Sequence, residues 1–273
     1  MQIISIILSL ILILTIIFHR TLHTIPNLLT ANSSLAIFIY AFVVIIQIIV
    51  GLQSKDKGKE DLCIFLSYFT AIAIDVICYS YLVTAISQYF FNILYRRKYL
   101  LTFRIHWLII IISWCISCFL PLFLYLSGAL QYSSEMHMCT LKMSVQWALF
   151  IYMGAALGIP FFGIVGIYLY ITRHIRRINT MTIAITTSLS TAKRDLHVLK
   201  NILTLIGILG TAGLPNIILV IWNAFSLDEA PVSLYLICVL TISFCTNIQI
   251  SFIFVMNKNV KVVFWNHVQR ILH

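Results

Sequence analysis

Seven apolar stretches, separated by short polar joints, decide what this chain can fold into. They run at about 3–18, 28–51, 63–94, 107–128, 145–172, 198–225 and 232–256. A helix crossing the bilayer needs roughly 20 apolar residues, because each one adds about 1.5 Å of rise. The first stretch, Ile3 to Phe18, lies near the lower limit of length. It reads as a spanning helix or as the apolar region of a signal peptide, although it lacks a basic start and an A-x-A-like cleavage site. The expected fold class is therefore an all-α integral membrane protein. A seven-transmembrane-helix bundle forms one domain over residues 1–273. A short amphipathic helix is expected on the cytoplasmic side over 258–272, where Val260, Val263, Phe264, Val268, Ile271 and Leu272 recur at helical spacing.

Composition agrees: 61% of residues are hydrophobic and 10% charged. Soluble domains carry about 45–50% apolar and about 25% charged residues, so a cytosolic enzyme and a disordered chain are both excluded. The net charge of +10 could signal a nucleic-acid partner, but its distribution says otherwise. Of the 18 basic residues, 14 fall on alternate connections: Arg20; Arg96, Arg97, Lys98 and Arg104; Arg173, Arg176, Arg177, Lys193, Arg194 and Lys200; Lys258, Lys261 and Arg270. Lys55, Lys57, Lys59 and Lys142 lie on the opposite side, among six of the eight acids. By the positive-inside rule the richer side is cytoplasmic, which puts the amino terminus outside and the carboxyl terminus inside. Basic residues at helix ends meet anionic lipid, and no aromatic-interleaved stripe or zinc spacing accompanies them. A nucleic-acid partner and a metal site are thus not expected.

The seven cysteines sort by depth. Cys78, Cys115, Cys118, Cys238 and Cys245 fall inside apolar spans, where a thiol is an ordinary packing group. Cys63 and Cys139 alone face outward, towards an oxidising compartment. A bridge between them would tie the second outer loop over the mouth of the bundle. Asp75 is the only acid inside the expected hydrocarbon region. An intramembrane carboxyl costs at least about 2.5 kcal/mol on insertion scales, so it must face the bundle and find a partner. It reads as a structural polar group or as a site for ligand or proton sensing.

Seven spans, an outer amino terminus and a third-helix cysteine facing a second-loop cysteine together resemble the rhodopsin-like (class A) G-protein-coupled receptors, in a divergent, chemoreceptor-like branch. Other positions carry the resemblance further. Ser87-Gln88-Tyr89 stands where the family has D/E-R-Y, with Tyr89 kept. Trp114 with Pro121 is similar to the fourth-helix tryptophan and proline, and Pro160 with Tyr168 to the fifth-helix pair. Asn32-Ser33-Ser34-Leu35-Ala36-Ile37 resembles N-L-x-x-A-D, with Ile37 where the sodium-binding aspartate belongs. Ala212-Gly213-Leu214-Pro215 stands for C-W-x-P, and Gln249 to Ile253 for N-P-x-x-Y without its proline or tyrosine.

The resemblance implies a receptor that carries the binding of an extracellular ligand to a cytoplasmic heterotrimeric G protein, at the plasma membrane and without a cofactor. It implies coupling or switching roles for Ser87, Gln88, Tyr89 and Tyr168, with Gln88 unable to form the family's ionic lock. For both tyrosines an interfacial role is equally open. In the sixth stretch Gly210, Gly213 and Pro215 read as a hinge or a static kink, since proline removes a helical bond and glycine lowers the cost of bending. The family's amine-binding aspartate would fall on Thr70, so Asp75 is not that anchor. The seventh stretch has no lysine, which argues against retinal. The serines and threonines from Thr180 to Thr191 read as a polar linker or as phosphorylation targets beside basic residues. The alternatives are a transporter, for which no duplicated half is visible, and a seven-helix protein that does not couple. A membrane enzyme would need clustered polar groups that Asp75 alone does not supply.

Overall fold

The computed structural model describes residues 1–53, 60–133, 138–141, 146–181, 204, 207–208, 210–222, 225, 231–257, 260–265 and 269. Helices α1 (Gln2–Phe18), α2 (Ile25–Gln53), α3 (Glu60–Asn92) and α4 (Phe103–Leu126) lead into a two-stranded antiparallel hairpin, β1 (Leu130–Ser133) and β2 (Met138–Leu141). The fifth apolar stretch is α5 (Gln146–Met153) and α6 (Ile159–Met181), joined end to end through a π-helical turn, Gly154–Gly158. Next come α7 (Gly210–Trp222), α8 (Val232–Met256) and a helical stretch over 260–265, here α9.

Among the described residues five helical segments are long and apolar enough to cross a membrane, and Gln2–Phe18 and Gly210–Trp222 are shorter apolar helices. Several ends differ from the sequence expectation. α2 starts at Ile25, ahead of Pro26, because a proline in the first turn has no N–H that an intrahelical carbonyl would need. α6 runs to Met181, well past residue 172, so the helix carries Arg173 into what was expected as a loop. The hairpin was not foreseen, since its strands are only four residues each. The remainder of the connection expected to be the third cytoplasmic one, 182–203, lies outside the described residues.

The helices are sorted by face in the manner of a membrane bundle. On α4 the inward residues are His106, Ile110, Ser113, Ser117, Pro121 and Leu124, while Trp107, Ile111 and Phe119 point out. On α1 Gln2, Ser5 and Ser9 are buried and Ile3, Ile7 and Phe18 exposed. Small and polar residues between helices allow close approach and interhelical hydrogen bonds where lipid offers none. Ser5 accordingly donates to Asn247 Oδ1 on α8 at 2.8 Å, and Ser33 on α2 to Ser80 on α3 at 3.1 Å. α3 is the axis of the bundle, touching α2, α4, α6 and the hairpin, and α1 and α2 close against α8. At Gly163 a Cβ would meet Leu82 Cδ1 at 3.0 Å, so that glycine sets how near α6 approaches α3.

At the expected cytoplasmic end a short relay holds the chain together. Asn27 Nδ2 donates to Leu22 O at 2.9 Å, and Asn257 Nδ2 donates to Asn27 Oδ1 at 3.0 Å. Asn257 Oδ1 then accepts from Val260 N–H at 3.3 Å, which caps α9. Val260 is fully buried in the main core cluster. The amphipathic helix expected over 258–272 is therefore described only through 260–265, and its first turn is packed on the bundle.

Candidate functional site

A cavity of about 230 Å³ opens between α2, α3, the fifth span, α7 and α8. The regular run of α3 brings Thr70 and Asp75 to its wall, while Tyr152 faces them from α5. Ala212, Gly213 and Asn216 contribute from α7, and Gln249 from α8. Asp75 is completely buried. Tyr152 donates its phenolic hydrogen to Asp75 Oδ1 at 3.0 Å, and Oδ2 has no hydrogen-bond partner among the described residues. The carboxyl thus points into the bundle beside a polar group. Thr70 satisfies its hydroxyl locally, on Leu66 O at 3.0 Å. No local pattern marks Tyr152, an aromatic residue within an apolar run.

At the expected outer end, α4 stops in a turn whose Gly128 has φ of 65°, a left-handed position suited to glycine. Ala129 N–H bonds back to Leu124 O at 3.1 Å, and β1 follows directly. Tyr132 and Cys139 are register partners in the hairpin, which packs on α3, and Leu130 reaches the cavity. Cys63, buried near the start of α3, is disulfide-bonded. Cys78, Cys115, Cys118, Cys238 and Cys245 are free thiols. The side chain of Cys139 lies outside the described residues.

At the other end of α3, Ser87 Oγ lies 2.9 Å from His106 Nε2 on α4, and both residues are buried. The opposite ring nitrogen, Nδ1, is 3.0 Å from Thr102 O. A carbonyl can only accept, so Nδ1 carries the hydrogen, and in the neutral ring Nε2 accepts from Ser87. Gln88 is half-buried, and the Tyr89 ring stacks at a tilt on Tyr170 of α6, 5.8 Å between centroids. Tyr168 is buried in the core, with no partner for its hydroxyl among the described residues. The sequence singled out Ser87 but not His106, which read as an isolated histidine at the start of an apolar stretch.

α7 is continuous through Pro215. A Cβ built on Gly210 or Gly213 would meet Phe161 at 3.8 Å or Leu157 at 3.9 Å, ordinary contact distances. Close helix packing does not require either glycine, which leaves backbone freedom as their physical consequence. Across from them, the π turn precedes Pro160, and Tyr79 of α3 donates to Ala155 O within it at 3.0 Å. Trp114 Nε1–H donates to Asn32 Oδ1 at 2.8 Å, joining two positions that the resemblance had picked out separately.

A bundle of long apolar helices with a cavity walled by its third helix agrees with the resemblance drawn from the sequence. The chain belongs to the rhodopsin family of seven-transmembrane receptors: the family model "7 transmembrane receptor (rhodopsin family)" matches residues 9–250. No curated protein matches it.

Proposed function

We propose that this receptor binds an extracellular ligand in the cavity between α3, α5, α7 and α8 and passes the event to a heterotrimeric G protein at the plasma membrane. The amino terminus is extracellular and the carboxyl terminus cytoplasmic, on the basic-residue asymmetry of the connections. A Cys63–Cys139 bridge holds the hairpin over the mouth. It is supported by the bonded state of Cys63 and by the five free thiols elsewhere.

The observation that carries the reading is a shared wall. Asp75 on the central helix and Ala212, Gly213 and Asn216 on α7 line the same cavity, and Pro215 lies between the last two. A molecule that touches both biases the position of α7 about Pro215, and so shifts an existing equilibrium towards a form open on the cytoplasmic side. There Gln88, Tyr89 and Tyr168 border the opening. Glutamine can give and accept hydrogen bonds but cannot form a salt bridge, so the closed form lacks an ionic lock. The test is a ligand screen on the expressed receptor, read as nucleotide exchange on co-expressed G proteins. Ligand-independent exchange at the level of empty membranes, with no compound raising it, would reject the coupling.

A further inference from the structure

Tyr152 lines two hollows at once. One is the cavity between the spans, and the other is a groove of about 520 Å³ on the outside of the bundle. The groove runs between α4 and α5, with Ile111, Ile112, Phe119, Leu120 and Phe123 on one wall and Ile151 on the other. Ile111, Ile112, Phe119 and Ile151 are exposed, and all lie within helical segments long and apolar enough to cross a membrane. Hydrocarbon rather than water therefore meets this groove. A single layer of side chains separates it from the cavity. Leu120 and Leu124 stand one turn apart on α4, the first lining the groove and the second the cavity, and both pack with Tyr152. The hydroxyl of Tyr152 is tied across to Asp75 Oδ1 on α3 at 3.0 Å. Two residues further on, the π turn Gly154–Gly158 leaves the α-helical ladder, and a Cβ at Gly154 or Gly158 would meet nothing within 4 Å. The backbone that carries Tyr152 is thus neither regular nor wedged against a neighbour.

We propose that the cavity fills from the bilayer, through the groove between α4 and α5, with an uncharged, lipid-soluble molecule, and that Tyr152 is the gate. The proposal rests on the reading that this cavity is the ligand site. The chemistry of the wall fits a neutral occupant. Among the described residues no lysine, arginine or histidine lines the cavity, so an anion finds no partner there. Asp75 is completely buried and bonded to Tyr152, so it presents no surface to a cation. A charged molecule would also meet a steep cost in hydrocarbon before it reached the groove. An apolar molecule already dissolved in the bilayer meets none, and the aliphatic groove passes it to a largely aliphatic cavity.

The receptor carries its own reporters. Cys115 lines the groove, Cys78, Cys238 and Cys245 line the cavity, and all four are free thiols. The full-length receptor in lipid nanodiscs is treated with N-cyclohexylmaleimide, which is neutral and lipid-soluble, and labelling is followed by peptide mass spectrometry. The thiol sulfur bonds to one carbon of the maleimide double bond and the proton ends on the other, so no further reactant is needed. Cys115 is expected to react first and at least one cavity thiol to follow. N-cyclohexylsuccinimide, which lacks the double bond, should protect the cavity thiol saturably. The water-soluble cation trimethylammonioethyl methanethiosulfonate should leave the cavity thiols unmodified. Ile151→Trp narrows the groove at an exposed position and should slow cavity labelling about tenfold while Cys115 keeps its rate. Tyr152→Ala removes the gate and should speed cavity labelling, and Ile151→Trp decides the matter alone if that variant does not fold. The route is overturned by cavity thiols that react equally with the cation, by labelling that Ile151→Trp does not slow, or by the absence of protection. It is overturned equally if Cys115 reacts and every cavity thiol stays free. Protected labelling through the groove, with no compound raising nucleotide exchange, leaves the route standing and rejects the coupling reading instead.

Discussion

Ser87 and His106 are joined by a buried hydrogen bond of 2.9 Å that ties the C-terminal end of α3 to the start of α4. The link is directional, because His106 Nδ1–H is already committed to Thr102 O at 3.0 Å. Its ring is packed by Phe90 edge-on and by Phe91 in a near-parallel stack, at 6.3 and 5.9 Å between centroids. In a family where an acidic residue precedes the arginine, this chain places a neutral donor facing a histidine on the next helix.

The first prediction follows from that geometry. Ser87→Ala leaves His106 Nε2 buried without a donor and should cost about 1–3 kcal/mol. Ser87→Thr keeps the hydroxyl and should cost less. Thermal unfolding of the purified receptor reads both, and an alanine variant as stable as the parent would show that the bond contributes nothing.

A second prediction concerns Trp114 and Asn32, bonded at 2.8 Å between α4 and α2. Trp114→Phe removes the donor and leaves Asn32 Oδ1 unsatisfied, for a loss of about 1–3 kcal/mol beyond that of packing. In the Trp114→Phe background, Asn32→Leu should cost less than it does in the parent, because the stranded acceptor goes with it. A double-mutant cycle on unfolding free energy measures that coupling, and strict additivity of the two changes would contradict it.

The bundle was legible because membrane helices announce themselves by length and composition. All seven apolar stretches contain a helix, and α8 keeps the expected bounds of 232 and 256. Asp75 was legible for a related reason, since a lone carboxyl in an apolar run has nowhere to go but inward. What the sequence hid are the partners. Tyr152 and His106 lie 77 and 19 residues from Asp75 and Ser87, and no local pattern marks either one. The inward face of α4 was hidden too, because serines among isoleucines carry little hydrophobic periodicity when both faces avoid water. The hairpin escaped because its strands are short, and their pairing depends on where α3 and α4 hold the loop.

A third prediction tests the proposed Cys63–Cys139 bridge. Cys63→Ser and Cys139→Ser should each lower surface expression, and the double variant should do no worse than either single one. Removal of a native disulfide costs about 2–5 kcal/mol in small secreted domains. Flow cytometry with an amino-terminal epitope provides the readout. A double variant markedly below both singles would mean that the two cysteines act separately.

The last prediction places the family's charge back at the end of α3 expected to be cytoplasmic. Gln88 is half-buried, next to Tyr89 where α3 meets Tyr170 of α6. A G protein inserting between the third, fifth and sixth spans would reach this residue, and glutamine gives it an ordinary neutral hydrogen bond. Arginine offers five donors and a fixed charge, and charge-assisted bonds are roughly twice as strong as neutral ones. The usual restraint on such an arginine is an adjacent acid. Here the preceding residue is Ser87, whose hydroxyl is already committed to His106 at 2.9 Å. Gln88→Arg should therefore act without an inactive-state salt bridge to oppose it, and raise basal or ligand-driven nucleotide exchange. The measurement is exchange in membranes that carry parent and variant at matched surface levels, across several G-protein subtypes. Identical exchange in every case would mean that this position does not meet the transducer, and the coupling assigned to the receptor would lose its contact point.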